Sequence, residues 1–111
     1  MDVHKKEIFL YEISHGKVPF EDWLEDLKDK KARAIIRARL DRLEEGNPGE
    51  HEAVGNGVYE LKIRFGPGYR VYFGVESKVI VILLLGGDKG TQRKDIEKAC
   101  EYWHSYKESK K

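Results

Sequence analysis

Basic side chains gather in the second half of this sequence. Between Tyr59 and Lys94 the acidic residues are only Glu60, Glu76 and Asp88, whereas the basic residues are Lys62, Arg64, Arg70, Lys78, Lys89, Arg93 and Lys94. Clustering like charges costs free energy, so such a cluster indicates a surface that meets a negatively charged partner. The chemistry that it favours is the binding of phosphate groups. The alternative is that these charges only solubilise an open sheet face.

Other kinds of site find little support. The histidines have neither i, i+4 spacing nor a Cys-x-x-Cys partner, so there is no zinc motif among His4, His15, His51 and His104. Gly86-Gly87 lacks the lysine and the Ser/Thr of a nucleotide-binding loop. Cys100 falls on the apolar stripe of a predicted helix, where a packed thiol is expected. We therefore predict no metal site and no cofactor.

Composition predicts one globular domain over residues 1–111. The charged fraction is 37%, the hydrophobic fraction is 40% and the formal net charge is +1. The longest apolar run, Val79–Leu85, is far shorter than the roughly 20 residues that span a bilayer. Residues Met1–Glu7 have no apolar stretch of the kind found in signal peptides. With a single cysteine, these features predict a cytoplasmic protein without membrane association.

Apolar spacing in the first half predicts a strand and two helices. Lys5–Ile13 is rich in Ile, Phe and Tyr and predicts the strand. Pro19 suits a first helical turn, and the helix that follows has an apolar stripe formed by Phe20, Trp23, Leu24 and Leu27. A second, longer amphipathic helix is predicted from about Asp29 to Glu45, ending at a Gly-Asn-Pro-Gly segment.

From Val58 the pattern alternates with the period of a strand. Apolar Tyr59, Leu61 and Ile63 alternate with Glu60, Lys62 and Arg64. A turn with Pro67 at position i+1 and Gly68 at i+2 leads into the strand Tyr69–Gly74. Val79–Leu85 predicts a central strand covered on both sides, and Thr91 is expected to cap a final helix. The predicted fold is α+β in the order β-α-α-β-β-β-α, with the helices on one face of a mainly antiparallel sheet.

These elements bring the basic residues together. Lys62 and Arg64 on one strand and Arg70 and Tyr72 on its hairpin partner are expected to share the polar sheet face. Lys89 ends the central strand, and the last helix opens with Arg93 and Lys94 at its positive end. The sequence thus predicts a polyanion site.

Three stretches of this region resemble a known toxin family. They are GVYELKIR at 57–64, GPGYRVYF at 66–73 and LLGGDKGTQRKDI at 84–96. They are similar to the addiction-module killer proteins, the phage-derived, HigB-like branch of the RelE/ParE superfamily. The predicted element order also matches that superfamily fold, an antiparallel sheet with two N-terminal helices packed on one face and a C-terminal helix.

The resemblance implies the toxin of a type II toxin–antitoxin pair, a metal-independent endoribonuclease that cleaves mRNA on the ribosome. In such cleavage the ribose 2′-hydroxyl attacks the adjacent phosphate, and the protein positions it, stabilises the phosphorane charge and transfers protons. Arg70 then matches the arginine that contacts the scissile phosphate, and Lys89 matches the basic position after the strand. Lys62 and Arg64 match the other catalytic sheet positions, where a lysine held among arginines could act as the base.

With RNA as the substrate, the residues predicted to bind it are Tyr72, Gln92, Arg93 and Lys94. The resemblance also implies a cognate helix-turn-helix antitoxin and a toxin–antitoxin hetero-oligomer. The chain departs from the branch at Lys62, where arginine is usual, and at Gly90, where serine is frequent. Tyr102, His104 and Tyr106 are further candidates near the site, whereas Trp103 is expected to pack.

Two other functions remain open at the level of sequence. ParE-like members of the same superfamily poison DNA gyrase by binding and have no RNase site. A basic surface is expected in both cases, so the fold alone does not decide between them. The third reading is a non-catalytic binding module or a decayed toxin.

Overall fold

The computed structural model describes residues 5–111, within which five strands form one mixed sheet and three helices cover it. The helices are α1 (Pro19–Asp26), α2 (Lys30–Glu44) and α3 (Gln92–Ser109). The strands are β1 (Glu7–Leu10), β2 (His51–Gly55), β3 (Val58–Ile63), β4 (Tyr69–Glu76) and β5 (Ile80–Asp88). Their spatial order is β1-β5-β4-β3-β2, in which β1 is parallel to β5 and the other pairs are antiparallel. The α+β class is confirmed. The signal-peptide prediction rests partly on residues 1–4, outside the described residues.

The first two helices form where their spacing predicts. Pro19 begins α1, and Phe20 and Leu24 are buried against the sheet. Asp29 caps α2 by accepting hydrogen bonds from two backbone N–H groups, those of Lys31 at 3.0 Å and Ala32 at 3.1 Å. Helix α2 contributes apolar side chains to the same core, which lies on one face of the sheet.

Helix α3 lies on the other face, which corrects the prediction that all helices share one side. Its Ala99 and Trp103 pack with Val58, Tyr72 and Ile82 in a second core cluster. The physical reason is β5, whose residues Val81–Leu84 are buried on both faces of the sheet. A strand that is apolar on both sides requires cover on both sides.

The sequence did not predict β2. Most residues of His51–Gly55 are exposed, because the strand lies at the sheet edge and pairs only with β3. An exposed edge strand has no need for alternating apolar residues, so the periodicity that identifies inner strands is missing. Strand β1 is also shorter than predicted, at Glu7–Leu10 instead of Lys5–Ile13.

Two tryptophans lie against glycines of the sheet. A Cβ atom at Gly86 would overlap the indole of Trp23 from α1, and a Cβ atom at Gly74 would overlap the indole of Trp103 from α3. The two contacts lie on opposite faces, so each helix layer approaches the sheet where a side chain is missing. These glycines allow the close packing of α1 and α3.

The β3–β4 turn differs in detail from the prediction. Its closing hydrogen bond runs from the Gly68 N–H to the Phe65 carbonyl, at 3.0 Å. This places Gly66, and not Pro67, at position i+1, where its φ of 56° requires a residue that tolerates the left-handed region. Among residues 5–111, no helix combines the length and apolar character needed to cross a membrane.

Candidate functional site

The sheet register places Lys62 and Arg70 side by side. They are direct partners in the β3–β4 pair, and Arg70 is opposite Gly87 on β5. This row lies on the face that α3 covers. A Cβ atom at Gly87 would overlap the Asp95 carboxylate in the first turn of α3. The start of α3 therefore packs closely beside the row.

In the next residue pair on the same face of β3 and β4, Glu60 is opposite Tyr72. Both side chains are fully buried. The Tyr72 hydroxyl donates to Glu60 Oε2 at 3.0 Å, and Gln92 Nε2 donates to the same oxygen at 2.8 Å. Arg70 Nε lies 3.5 Å from this oxygen, and the Arg70 side chain is only 12% exposed. Glu60 thus connects Arg70 on the sheet with Gln92 on α3.

Sequence reasoning treated Glu60 only as an acidic neighbour of the cationic residues. One feature of the sequence could have singled out Glu60: it is the acidic residue among the charged positions Glu60, Lys62 and Arg64 that alternate with apolar residues on and after β3. Its burial arises because α3 covers that face, which the alternation within β3 alone does not show.

Tyr72 was predicted to contact RNA, and its position does not agree with that role. Its ring has no exposed surface and its hydroxyl is bound to Glu60. Burial is the largest of the effects that raise the pKa of Tyr72 far above its usual value. The negative charge of Glu60 and the hydrogen bond between Tyr72 and Glu60 act in the same direction. The phenol therefore stays protonated and acts as a permanent hydrogen-bond donor.

We expect Tyr72→Phe to change the alkaline stability of the protein. Above about pH 10 an unfolded tyrosine ionises while Tyr72 in the folded chain does not. The unfolded state then binds one proton fewer, so this group lowers the free energy of unfolding by about 1.4 kcal/mol per pH unit. Urea unfolding of the variant should show an alkaline decline shallower by that amount. An unchanged slope would contradict the assignment.

Two of the predicted catalytic residues have acidic partners near β2. Arg64 binds Glu50 through two hydrogen bonds, of 2.6 Å and 2.7 Å, and Lys62 Nζ lies 3.1 Å from Glu52. The hydrogen bond from Arg64 lowers the pKa of Glu50 and raises that of the guanidinium. The premise that Lys62 stands among cations alone is not met, because Glu52 is a direct counter-ion.

A depression of about 310 Å³ brings three predicted catalytic residues to one place. It is lined by the hairpin turn, residues 64–68, together with Arg70 and Lys89. Among the described residues, neither Lys89, Arg93 nor Lys94 forms an ion pair with an acidic side chain. The depression therefore combines recessed Arg70 with exposed Lys89, an arrangement that can bind a phosphate group.

The beginning of α3 corrects a further expectation. Thr91 occupies the N-cap position of α3, but its side chain makes no capping hydrogen bond. Asp88 instead caps the 3-10 turn Lys89–Thr91 that leads into α3: its Oδ1 accepts from the N–H groups of Gly90 at 2.8 Å and Thr91 at 3.2 Å. The Thr91 hydroxyl binds Asp95 instead, at 2.5 Å. Desolvation by burial is the largest effect on Asp95 and raises the pKa of its carboxyl. The N–H groups of Gly90 and Thr91 are thus already occupied by Asp88 and are not free to bind a phosphate.

The remaining candidates are distributed along α3. Arg93 and Lys94 are exposed and line a separate depression of about 380 Å³ in its first turn. Tyr106 stacks on Trp103 and lies 14 residues after Gln92, about 21 Å along the helix axis. Tyr102 packs against Tyr11, and His104 is exposed on this distal part of α3. Trp103 packs in the core as predicted.

Among residues 5–111, no three His, Cys, Asp or Glu side chains group as metal ligands.

Comparison with known proteins covers the whole of this region. Residues 22–103 match the sequence model of the family described as "Phage derived protein Gp49-like". A protein of Haemophilus influenzae described as "Uncharacterized protein" is 51% identical over 80 residues, which is 72% of this chain and 81% of that protein. The match to the family model begins within α1 and ends at Trp103, so it includes the predicted catalytic and RNA-binding residues but not His104 and Tyr106. The chain therefore belongs to the Gp49-like phage-derived protein family, a RelE/toxin-like family.

Proposed function

We propose that this protein is the toxin of a type II toxin–antitoxin module and acts as a ribosome-dependent, metal-independent mRNA endoribonuclease. The observation that carries the proposal is the depression where Arg70 meets Arg64 and Lys89 beside the hairpin turn. Membership of a RelE/toxin-like family supports the toxin role. Action on ribosomes places the protein in the cytoplasm.

The proposed reaction uses the RNA's own nucleophile. The ribose 2′-hydroxyl attacks the adjacent phosphorus, the P–O5′ bond breaks, and the products are a 2′,3′-cyclic phosphate and a 5′-hydroxyl. Negative charge rises on the phosphoryl oxygens in the transition state, where fixed cations are most effective. Arg70 is the central cation, because burial and Glu60 fix it in place. Lys89 adds a second positive charge from the rim.

The decisive experiment compares two targets. Purified protein is incubated with ribosomes that translate a defined mRNA, and separately with DNA gyrase in a supercoiling assay. We expect mRNA cleavage with 5′-hydroxyl ends, detected because they accept label from polynucleotide kinase without prior phosphatase treatment, and no effect on gyrase. Gyrase inhibition with intact mRNA would instead identify a ParE-like poison. Neither effect, together with harmless overexpression, would identify a non-catalytic protein.

The proposal includes a cognate helix-turn-helix antitoxin and a hetero-oligomer of the two chains. An acidic segment of that partner would match the cations around the depression. A helix-turn-helix reading frame next to this gene should restore growth when co-expressed, and its product should co-purify with this protein. Failure of the neighbouring product to bind would remove this part of the proposal.

We expect Glu50→Gln to strengthen RNA binding. The change releases Arg64 from its two-bond partner and increases the positive charge at the depression. Affinity for a single-stranded RNA should rise about threefold at low salt, and the difference should shrink at higher salt. Fluorescence anisotropy measures it. Glu7→Gln is the matched control, because Glu7 is exposed on β1, at the sheet edge opposite β2. Equal gains in both variants would contradict a local effect.

A further inference from the structure

Glu60 is buried in the interior of this fold, which is unfavourable for a carboxylate. Its side chain has no exposed surface, and its carboxylate lies between Tyr72 and the start of α3. Burying a carboxylate costs free energy that neighbouring charges and hydrogen bonds only partly offset. Among the described residues, Glu60 Oε1 and Arg70 Nε both lack a hydrogen-bond partner. An incompletely satisfied buried charge of this kind is more typical of functional sites than of structural cores.

The geometry around Arg70 indicates a role for the negative charge of Glu60. The guanidinium is planar, with Nε at one end and the two terminal nitrogens at the other. Nε lies 3.5 Å from Glu60 Oε2, whereas the terminal Nη1 is 3.4 Å from the carbonyl oxygen of Gly68. Gly68 lines the depression that Arg70 also borders. With Nε held toward the buried carboxylate, the terminal nitrogens are directed at the hairpin turn and the depression.

Two further contacts fix the carboxylate itself. Tyr72 donates from β4 and Gln92 donates from α3, both to the oxygen that faces Arg70. The position of Arg70 thus depends on a donor from the sheet and on a donor from the helix. A displacement of α3 would move Gln92 and loosen this arrangement.

We propose that Glu60 is a positioning residue, which orients the Arg70 guanidinium toward the phosphate depression and couples it to the first turn of α3 through Gln92. The kinetic part of this inference rests on the proposed RNase function. Glu60 touches no substrate and acts through Arg70. Its negative charge also weakens the local attraction for RNA, which makes the kinetic consequence distinctive.

The variant Glu60→Gln separates these effects. It keeps the size of the side chain and an oxygen for Tyr72, but removes the charge that holds Arg70. Removal of a negative charge favours RNA binding, so KM should fall or stay constant. Loss of orientation should lower kcat about 10- to 100-fold. A merely structural defect would reduce the active fraction, lowering apparent kcat with KM unchanged and with a loss of folded signal in circular dichroism. An unchanged kcat would overturn the proposal.

A spectroscopic measurement tests the inference without any RNA. In the wild-type protein the Arg70 Nε–H is buried beside Glu60, so its NMR signal should exchange slowly with water. Arg70→Lys, which removes the signal, identifies it. We expect Glu60→Gln to bring the signal into fast exchange. A protein that cleaves no mRNA but shows this change would contradict the proposed RNase and retain the positioning role; an unaffected signal would overturn the positioning role itself.

Glu52→Gln is the matched control. Glu52 is opposite Glu60 in the β2–β3 pair, but it is exposed and contacts Lys62 instead of Arg70. Glu52→Gln removes the same charge, so KM should fall in this variant too, while the Arg70 Nε–H signal should still exchange slowly with water. If Glu60→Gln does not fold, Gln92→Ala provides the second test, because it removes one donor from a half-buried position. It should accelerate the exchange of the Arg70 signal to a smaller extent, and no acceleration would overturn the coupling to α3.

Discussion

Arg70→Ala is expected to abolish growth arrest and to lower the rate of mRNA cleavage about 100- to 1,000-fold. Arg70 is 12% exposed, lies 3.5 Å from a buried carboxylate and borders the depression that carries the proposed function. A cation fixed in this manner stabilises transition-state charge without reorganising during the reaction. The effect should fall mainly on kcat, because the charge that it neutralises develops during the chemical step.

The controls for Arg70 address charge, geometry and folding separately. Arg37→Ala makes the same change in net charge on an exposed position of α2 and should retain wild-type cleavage. Arg70→Lys keeps the charge but loses the planar fork, so an intermediate rate is expected. Because Arg70→Ala leaves Glu60 without its cation, a loss of stability of about 1–3 kcal/mol is expected, and cleavage must be measured below the unfolding transition. Undiminished growth arrest and RNA cleavage by the folded Arg70→Ala protein would exclude the proposed site.

Gly86→Ala is expected to destabilise the protein by about 2–3 kcal/mol or more, with the loss caused by overpacking. The added methyl would overlap the Trp23 ring, which packs between the sheet and α1 beside Phe20 and Tyr69. Neither the strand backbone nor this partly buried ring can move away without losing contacts. Gly74→Ala should behave similarly against Trp103. Urea unfolding followed by circular dichroism measures the effect.

A double-mutant cycle identifies the cause of that loss. Trp23→Ala removes the ring, so adding Gly86→Ala to it should cost far less than Gly86→Ala alone, with an interaction energy of about 1–3 kcal/mol. Gly90→Ala is the control, because the added methyl would meet no ring and its nearest neighbour would be one carboxylate oxygen of Asp88, at 3.2 Å. Simple additivity of Trp23→Ala and Gly86→Ala would show that ring overlap is not the reason.

Local patterns predicted the elements more successfully than their arrangement. The i, i+3, i+4 stripes located α1 and α2, and the period-two pattern located β3, because both depend on neighbours in sequence. Two sequence predictions conflicted over the placement of α3. The apolar run of β5 implied cover on both faces of the sheet, whereas the predicted fold placed all helices on one face.

The candidate site was predicted in part for the same reason. Hairpin register follows from a short turn, so the pairing of Lys62 with Arg70 was accessible to sequence reasoning. The burial of Tyr72 and the central position of Glu60 depend on α3, which joins the sheet from the far end of the chain. The ion pairs of Lys62 and Arg64 depend on β2, whose exposed sequence gave no strand signal.

The parallel pairing of β1 with β5 has a consequence for the order of folding. The Lys6 ammonium donates to the Lys78 carbonyl across 72 residues, so joining β1 to β5 closes a loop that contains about two thirds of the described chain. The hairpins that align Lys62, Arg70 and Gly87 close only short loops. Since loop-closure entropy delays distant contacts, the row formed by Lys62, Arg70 and Gly87 can assemble early, with β1 completing the sheet last.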